Sequence, residues 1–208
     1  MLISTDNSGL LHGANAINGG ELVAFPTDTY FALGADGFNS KAVESVFVTK
    51  GRNPGTPVPL LVSDSNMATS LVRDFPASLK QLADHFWPGA LTVVLPANDR
   101  VPDVVTARTG TVGVRVPDND VARKLIELSG VPITGTSCNL TGRDPIKEAV
   151  VVDQVFGDQV PVVLDGACGD STAASTVISF EDKRVVVLRE GAISAESLRN
   201  IVGDIVVS

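Results

Sequence analysis

The side chains able to do chemistry fall in five short polar segments, each next to an apolar run in a Gly- or Pro-rich turn. Pro26-Thr27-Asp28-Thr29 follows Glu21–Phe25. Its hydroxyls suit a small polar ligand, or it forms an ordinary Asx or Ser/Thr turn. Lys50-Gly51-Arg52 ends an amphipathic stretch. Its cations either complement a helix C-terminus or grip phosphate, Arg as a planar fork and Lys as a point charge. Thr111–Arg115, TVGVR, sets one arginine in an apolar run. Period-two alternation puts Arg115 on one face with Thr111 and Gly113, where it needs a partner, an anionic ligand or a solvated sheet face. Thr136-Ser137-Cys138-Asn139 carries two neutral hydrogen-bonding groups, Ser137 and Asn139, after a buried run. The last segment joins Ser175-Thr176 and Arg189, beside late apolar runs; a surface loop is the alternative for both.

Several chemistries find no support. There is no G-x-x-x-x-G-K-[ST], so any phosphate site is not a P-loop. His12 and His85 form no H-E-x-x-H or H-x-x-x-H, which argues against a histidine metal site or a Ser-His-Asp triad. Cys138 and Cys168 have no Cys or His neighbour at metal-ligand spacing, so no protein-bound metal is expected. Cys138 reads as a small buried filler. Two cysteines build no disulfide framework, which fits a reducing cytoplasm. A net charge of -8 argues against broad nucleic-acid binding while leaving room for one local basic pocket. An aromatic content of 5% argues against a base-stacking platform. No apolar run approaches the roughly 18–20 residues of a membrane span; Val150–Val155 and Val160–Leu164 are strand-sized. The start, MLISTDNSGLLHG, lacks a positive n-region and an h-region, so no signal peptide is expected.

The elements that must hold these groups read as an α/β protein. At 208 residues one compact domain is the default. Helices are expected over Ser8–Asn18, ended by Gly19-Gly20, and over Ser40–Thr49 with Ser40 as N-cap. Further helices are expected over Met67–Leu71, Pro76–Phe86, Asp120–Ser129 with Gly130 as cap, and Ser194–Val202. Strands are expected over Glu21–Phe25, Val58–Val62 (an edge, given Pro59), Leu91–Leu95, Thr111–Val116 and Pro132–Thr136. Val160–Leu164, Ser175–Ser179 and Val185–Leu188 complete the set. The links Leu164 to Ser175 and Ser179 to Val185 are too short for crossover helices, so the sheet should be mixed.

The order of the motifs is more specific than any one of them. PTDT, KGR, FWPGALTVVL, VGVRVPD, SCNLTGR, DGACG…STV and LREGAI, in that order, resemble the YrdC-like threonylcarbamoyl-AMP synthases. The resemblance runs from about Gly19 to Ile193, with the K-x-R and S-x-N signatures intact. It implies a YrdC-like α/β fold: a twisted mixed sheet flanked by helices around a concave cationic pocket. It also implies an enzyme that joins L-threonine, bicarbonate and ATP, releases pyrophosphate, and passes threonylcarbamoyl-AMP to a tRNA-modifying protein complex. Thr29, Arg115 and Ser175 would hold threonine, with Arg115 on its carboxylate. Lys50, Arg52, Thr111, Ser137, Asn139 and Arg189 would hold ATP, with Lys50 and Arg52 as the catalytic cations. Mg²⁺ is expected to arrive with ATP, bound largely through phosphate oxygens.

The chain departs from the family pattern in several places. Many relatives read PTETVYG, where Phe31 here replaces tyrosine and Ala32 replaces glycine. Asn53–Leu60 is longer than the usual turn after K-x-R, and Ser63 stands near the place of a histidine. Ala174 stands where ESTV relatives have glutamate. The departures near Phe31 and Ser63 keep a second reading open, a nucleotide- or weakly RNA-binding paralogue without synthesis; a third is a carbamoyl-AMP-forming domain of the hydrogenase-maturation type.

Overall fold

The computed structural model describes residues 1–207. The chain runs β1 (Leu2–Ser4), α1 (Asn7–Asn18), β2 (Val23–Phe25), β3 (Ala32–Gly34), α2 (Ser40–Lys50), β4 (Leu60–Leu61), α3 (Ser65–Thr69) and α4 (Ala77–Phe86). It continues through β5 (Leu91–Pro96), α5 (Asp103–Thr106), β6 (Thr111–Arg115), α6 (Asp120–Ser129), β7 (Ile133–Thr134) and β8 (Thr136–Ser137). The last part holds α7 (Ala149–Phe156), β9 (Val162–Asp165), β10 (Thr176–Glu181), β11 (Arg184–Arg189), α8 (Ala195–Val202) and β12 (Ile205–Val207).

The sheet is mixed, as expected, but there are two of them. The first runs β1-β9-β2-β3-β8 and the second β12-β11-β10-β5-β6-β4-β7. In the first sheet alternation buries both faces. Val23, Phe25, Val162 and Leu164 pack with α1 and α6 on one side. Ala24 and Val163 pack with α2 and α7 on the other. The second sheet is different. Leu91, Val93, Leu95, Val112, Val114, Ile178, Val185 and Val187 face a core shared with α4 and α8. Its opposite face is open and becomes the floor of a cavity.

Several sequence expectations are corrected. The run Pro132–Thr136 is not one strand: it breaks at Gly135, so β7 joins the second sheet and β8 the first. The Gly135 N–H donates to the Pro59 carbonyl at 2.7 Å. A Cβ there would lie 2.6 Å from Leu61 Cγ, so only glycine lets the chain cross at this point. The link from Leu164 to Ser175 also passes between sheets, so β9 and β10 are not neighbours. Ser179 to Val185 is a true hairpin, turned at Asp182-Lys183 with φ of 49° and 63°. The apolar run Val150–Val155, to which the sequence pattern assigns no element, makes up most of helix α7, because Ala149, Val152 and Phe156 form one buried face. The strand expected at Val58–Val62 shrinks to β4, which lies inside its sheet between β6 and β7. Pro59 stands just outside it and leaves its ladder intact. Asn39, not Ser40, caps α2, accepting from the N–H groups of Lys41 and Ala42. Strands β1, β3 and β12 and the short α5 had no clear pattern in the sequence, each being only three or four residues long.

Candidate functional site

A cavity of about 520 Å³ opens between the bare face of the second sheet and the strand ends of the first. Seven of the nine expected site residues line it: Thr29, Arg52, Thr111, Arg115, Ser137, Ser175 and Arg189. Three arginines and, among the described residues, no carboxylate lie on its wall.

The register explains how the floor is built. β10 pairs Val177 with Thr92 on β5 and with Arg189 on β11. β5 and β6 pair Val93 with Val114, and the next step sets Thr92 beside Arg115. Arg115, Thr92, Val177 and Arg189 therefore form a row across four strands. Arg189 reaches this row because of a bulge. Ile178 pairs with Val187 but Val177 pairs with Arg189, so Leu188 is the extra residue. Strict alternation from buried Val187 would point Arg189 into the core. The bulge restores it to the cavity, a frequent way of re-aiming a side chain.

Each arginine is held differently. Arg115 donates through Nε to the Gly89 carbonyl at 2.9 Å and through one terminal nitrogen to Asp28 Oδ1. Arg115 is buried and Asp28 only partly so, at 8% and 14% side-chain exposure. Burial lowers the Arg115 pKa and the Asp28 charge opposes that shift. Arg189 donates to the Ser175 carbonyl at 2.7 Å and to its hydroxyl at 3.3 Å. Ser175 Oγ lies 2.9 Å from Thr92 Oγ1. Arg52 spends its three nitrogens on neutral oxygens: Thr56 Oγ1 at 2.9 Å, Thr136 Oγ1 at 3.2 Å and the Pro57 carbonyl at 2.8 Å. Burial lowers the pKa of both Arg52 and Arg189. With no carboxylate against it, the Arg52 charge is left for an anion. Gly51, at φ 59°, turns the chain sharply after α2, so that Lys50 points inward and Arg52 returns to the wall.

Lys50 and Asn139 stand back from the wall. The Lys50 ammonium donates to the Ser137 carbonyl, to the Asn139 carbonyl at 2.6 Å and to Asn139 Oδ1 at 3.2 Å. Asn139 Oδ1 also accepts from Ser137 Oγ at 2.6 Å, and its amide donates to the Arg143 carbonyl at 2.5 Å. Lys50 thus forms a buried clamp on the loop that carries Ser137. Burial pulls the Lys50 pKa down to about 8, and neighbouring Arg52 adds to this. Beneath it Cys138 is fully buried, and burial pushes its thiol up to about 12. A thiolate nucleophile has no support there.

Sequence reasoning missed several members of the site. Thr92 lies on the wall, and its parity opposite Leu91, Val93 and Leu95 was the available signal. Asp28 was legible only as the carboxylate nearest a run of hydroxyls. Nothing in the sequence marked Thr109, which bonds Thr111 Oγ1 at 3.0 Å. Of the departures from the family pattern, Phe31, Ala32 and Ala174 line the cavity, whereas Ser63 does not.

The family model Sua5_yciO_yrdC, described as "Telomere recombination", matches residues 15–191. The chain is 36% identical over 192 residues to the threonylcarbamoyl-AMP synthase of Pyrococcus abyssi, covering 92% of this chain and 56% of that protein. It is 35% identical over 204 residues to that of Bacillus subtilis, covering 98% and 59% respectively. It thus spans little more than half the length of these two relatives. Among solved structures, P. abyssi Sua5 complexed with L-threonine superposes with a TM-score of 0.96 at 33% identity, covering 100% of this chain and 62% of that one. With its sheets, its cavity and its motif order all in place, the chain belongs to the Sua5_yciO_yrdC family.

Proposed function

We propose that this protein makes threonylcarbamoyl-AMP and pyrophosphate from L-threonine, bicarbonate and ATP. The observation that carries this is the single cavity wall on which Arg52, Arg115 and Arg189 converge with Thr29, Ser137 and Ser175. The curated relatives named threonylcarbamoyl-AMP synthase, and the L-threonine in the P. abyssi structure, give the same direction.

In this proposal the Arg115 guanidinium takes the amino-acid carboxylate while Thr29 and Ser175 contact its polar groups. Arg52 and Arg189 face the phosphates, and Ser137 and Thr111 offer neutral hydrogen bonds to the nucleotide. Lys50 and Asn139 hold the Ser137 loop in shape. Threonine's amine attacks the bicarbonate carbon, a C–N bond forms as a C–O bond breaks, and water leaves; an oxygen of the resulting carbamate then attacks the α-phosphorus. A new P–O bond forms to the carbamate, the bond to the β-phosphate oxygen breaks, and pyrophosphate leaves. The protein supplies alignment and fixed positive charge, and no side-chain nucleophile is used. The wall has no carboxylate with which to chelate a metal, so Mg²⁺ belongs in this scheme as the companion of ATP, held by phosphate oxygens. The product would pass to a tRNA-modifying protein complex.

Pyrophosphate release measured with ATP, Mg²⁺, L-threonine and bicarbonate tests the proposal. Release should require both threonine and bicarbonate. Well-folded protein that releases none, or releases it equally without threonine, refutes the synthase. A second reading, nucleotide or weak RNA binding without synthesis, rests on Phe31, Ala32 and Ala174 on the wall. ATP binding, or salt-sensitive tRNA binding, without pyrophosphate release would favour it.

A further inference from the structure

We infer that Asp28 is a positioning residue that selects which edge of Arg115 meets the ligand carboxylate, a role that rests on the threonine half of the proposed function. A guanidinium has two edges able to take a carboxylate through two parallel hydrogen bonds. One joins Nε to the terminal nitrogen on the same side; the other joins the two terminal nitrogens. In Arg115 the first edge is used within the protein: Nε donates to the Gly89 carbonyl at 2.9 Å and Nη2 to Asp28 Oδ1. Nη1 has no hydrogen bond among the described residues, so the end edge built on it is the one left for a carboxylate in the cavity.

Asp28 is itself fixed. Its Oδ1 also accepts from the Asp118 N–H at 3.1 Å. The backbone of Gly169 packs so closely that a Cβ there would lie 2.4 Å from the Asp28 carbonyl oxygen. The Gly169 N–H donates to the Thr27 carbonyl at 3.0 Å, tying the same loop down. Asp28 is absent from the cavity wall, whereas its neighbours Thr27 and Thr29 are on it. Its carboxylate therefore works from behind Arg115 rather than on the ligand. It also compensates a guanidinium whose charge is opposed by that of Arg189. Two arginines can thus share the cavity floor with only one of them lacking a carboxylate partner among the described residues. Arg189 has no such carboxylate; its partner is Ser175.

Calorimetric titration of L-threonine and of ATP, each alone, into wild type, Asp28→Ala and Asp28→Asn tests this role. In Asp28→Ala the threonine Kd should rise at least tenfold while the ATP Kd stays within twofold. Asp28→Asn keeps an acceptor for the same two donors but removes the charge; its threonine Kd should rise at least threefold, again with ATP unaffected. This variant serves if the alanine form does not fold. In the wild type, restricted rotation should resolve the Arg115 Nη signals by NMR, and in Asp28→Ala they should merge while the Nε–H bonded to Gly89 stays sharp. Equal weakening of both ligands would mean a merely structural role, and an unchanged threonine Kd would overturn the proposal outright. If the wild type itself fails to bind L-threonine, the proposed function falls rather than the assignment of Asp28 alone.

Discussion

The Lys50 ammonium bonds both oxygens of Asn139, the carbonyl at 2.6 Å and Oδ1 at 3.2 Å. The first cation of the K-x-R motif is therefore joined directly to the S-x-N motif 87 residues further on, through the Ser137 carbonyl as well. The loop returns the contact, since the Thr141 N–H donates to the Lys50 carbonyl at 2.9 Å. Three oxygens converge on one compact ammonium, which a planar guanidinium cannot imitate.

Lys50→Met keeps the stem and removes the donors. Leaving buried acceptors unpaired should cost roughly 1–3 kcal/mol of stability, read from urea denaturation. With Ser137 displaced, pyrophosphate release should fall further than stability alone would explain. Lys50→Arg should behave like Lys50→Met; full activity in Lys50→Arg would show that the convergent geometry is unimportant.

The depressed pKa of Lys50 has a definite sign. Its folded value is about 8 against an ordinary 10.5. Between these values the unfolded chain binds more protons than the folded one, so this group's contribution to stability rises as pH rises through that window. Below about pH 8 the contribution is at its least. The stability of wild type relative to Lys50→Met should therefore improve from pH 8 to pH 10, while ATP affinity falls as the ammonium clamp on the Ser137 loop loosens. A lysine ¹³Cε titration should find one midpoint near 8; a midpoint at the ordinary value would exclude the shift.

Arg52 meets three neutral oxygens set around a planar fork. Arg52→Lys preserves charge but cannot span Thr56, Pro57 and Thr136 together. Turnover should drop about 10²–10³-fold, as for loss of one electrostatic donor at a transition state. Steady-state pyrophosphate release checks this, with circular dichroism as the folding control.

Gly135 is the crossing point between sheets. Gly135→Ala forces a methyl group against Leu61 and should destabilise by about 1–3 kcal/mol. It should also weaken ATP binding, because Thr136 and Ser137 follow it on the wall. Adding Leu61→Ala makes room, so thermal denaturation of the double variant should show less loss than the two single changes summed.

The sequence by itself determined the local order of this protein. Alternation in LTVVL and TVGVR is enough to divide Leu91 and Val93 from Thr92, and Val112 and Val114 from Arg115, because successive strand residues face opposite ways. Gly130 and Gly51 mark helix ends by the same local logic, both adopting positive φ. Motif order brought seven of the nine expected residues to one cavity. Tertiary structure decided the rest. Whether Pro132–Thr136 served one sheet or two depended on the close approach of Leu61 to Gly135, a contact 74 residues away in sequence. The helical state of Ala149–Phe156 depended on a packing face that outweighs the strand preference of its valines. Arg189 reached the cavity only through a bulge, a property of strand pairing that alternation cannot foresee. Lys50 turned from the wall to Asn139, and Asp28 found Arg115, because partners for buried charges are chosen by proximity in space. A local pattern fixes which way a side chain faces; only the assembled sheets fix what it meets.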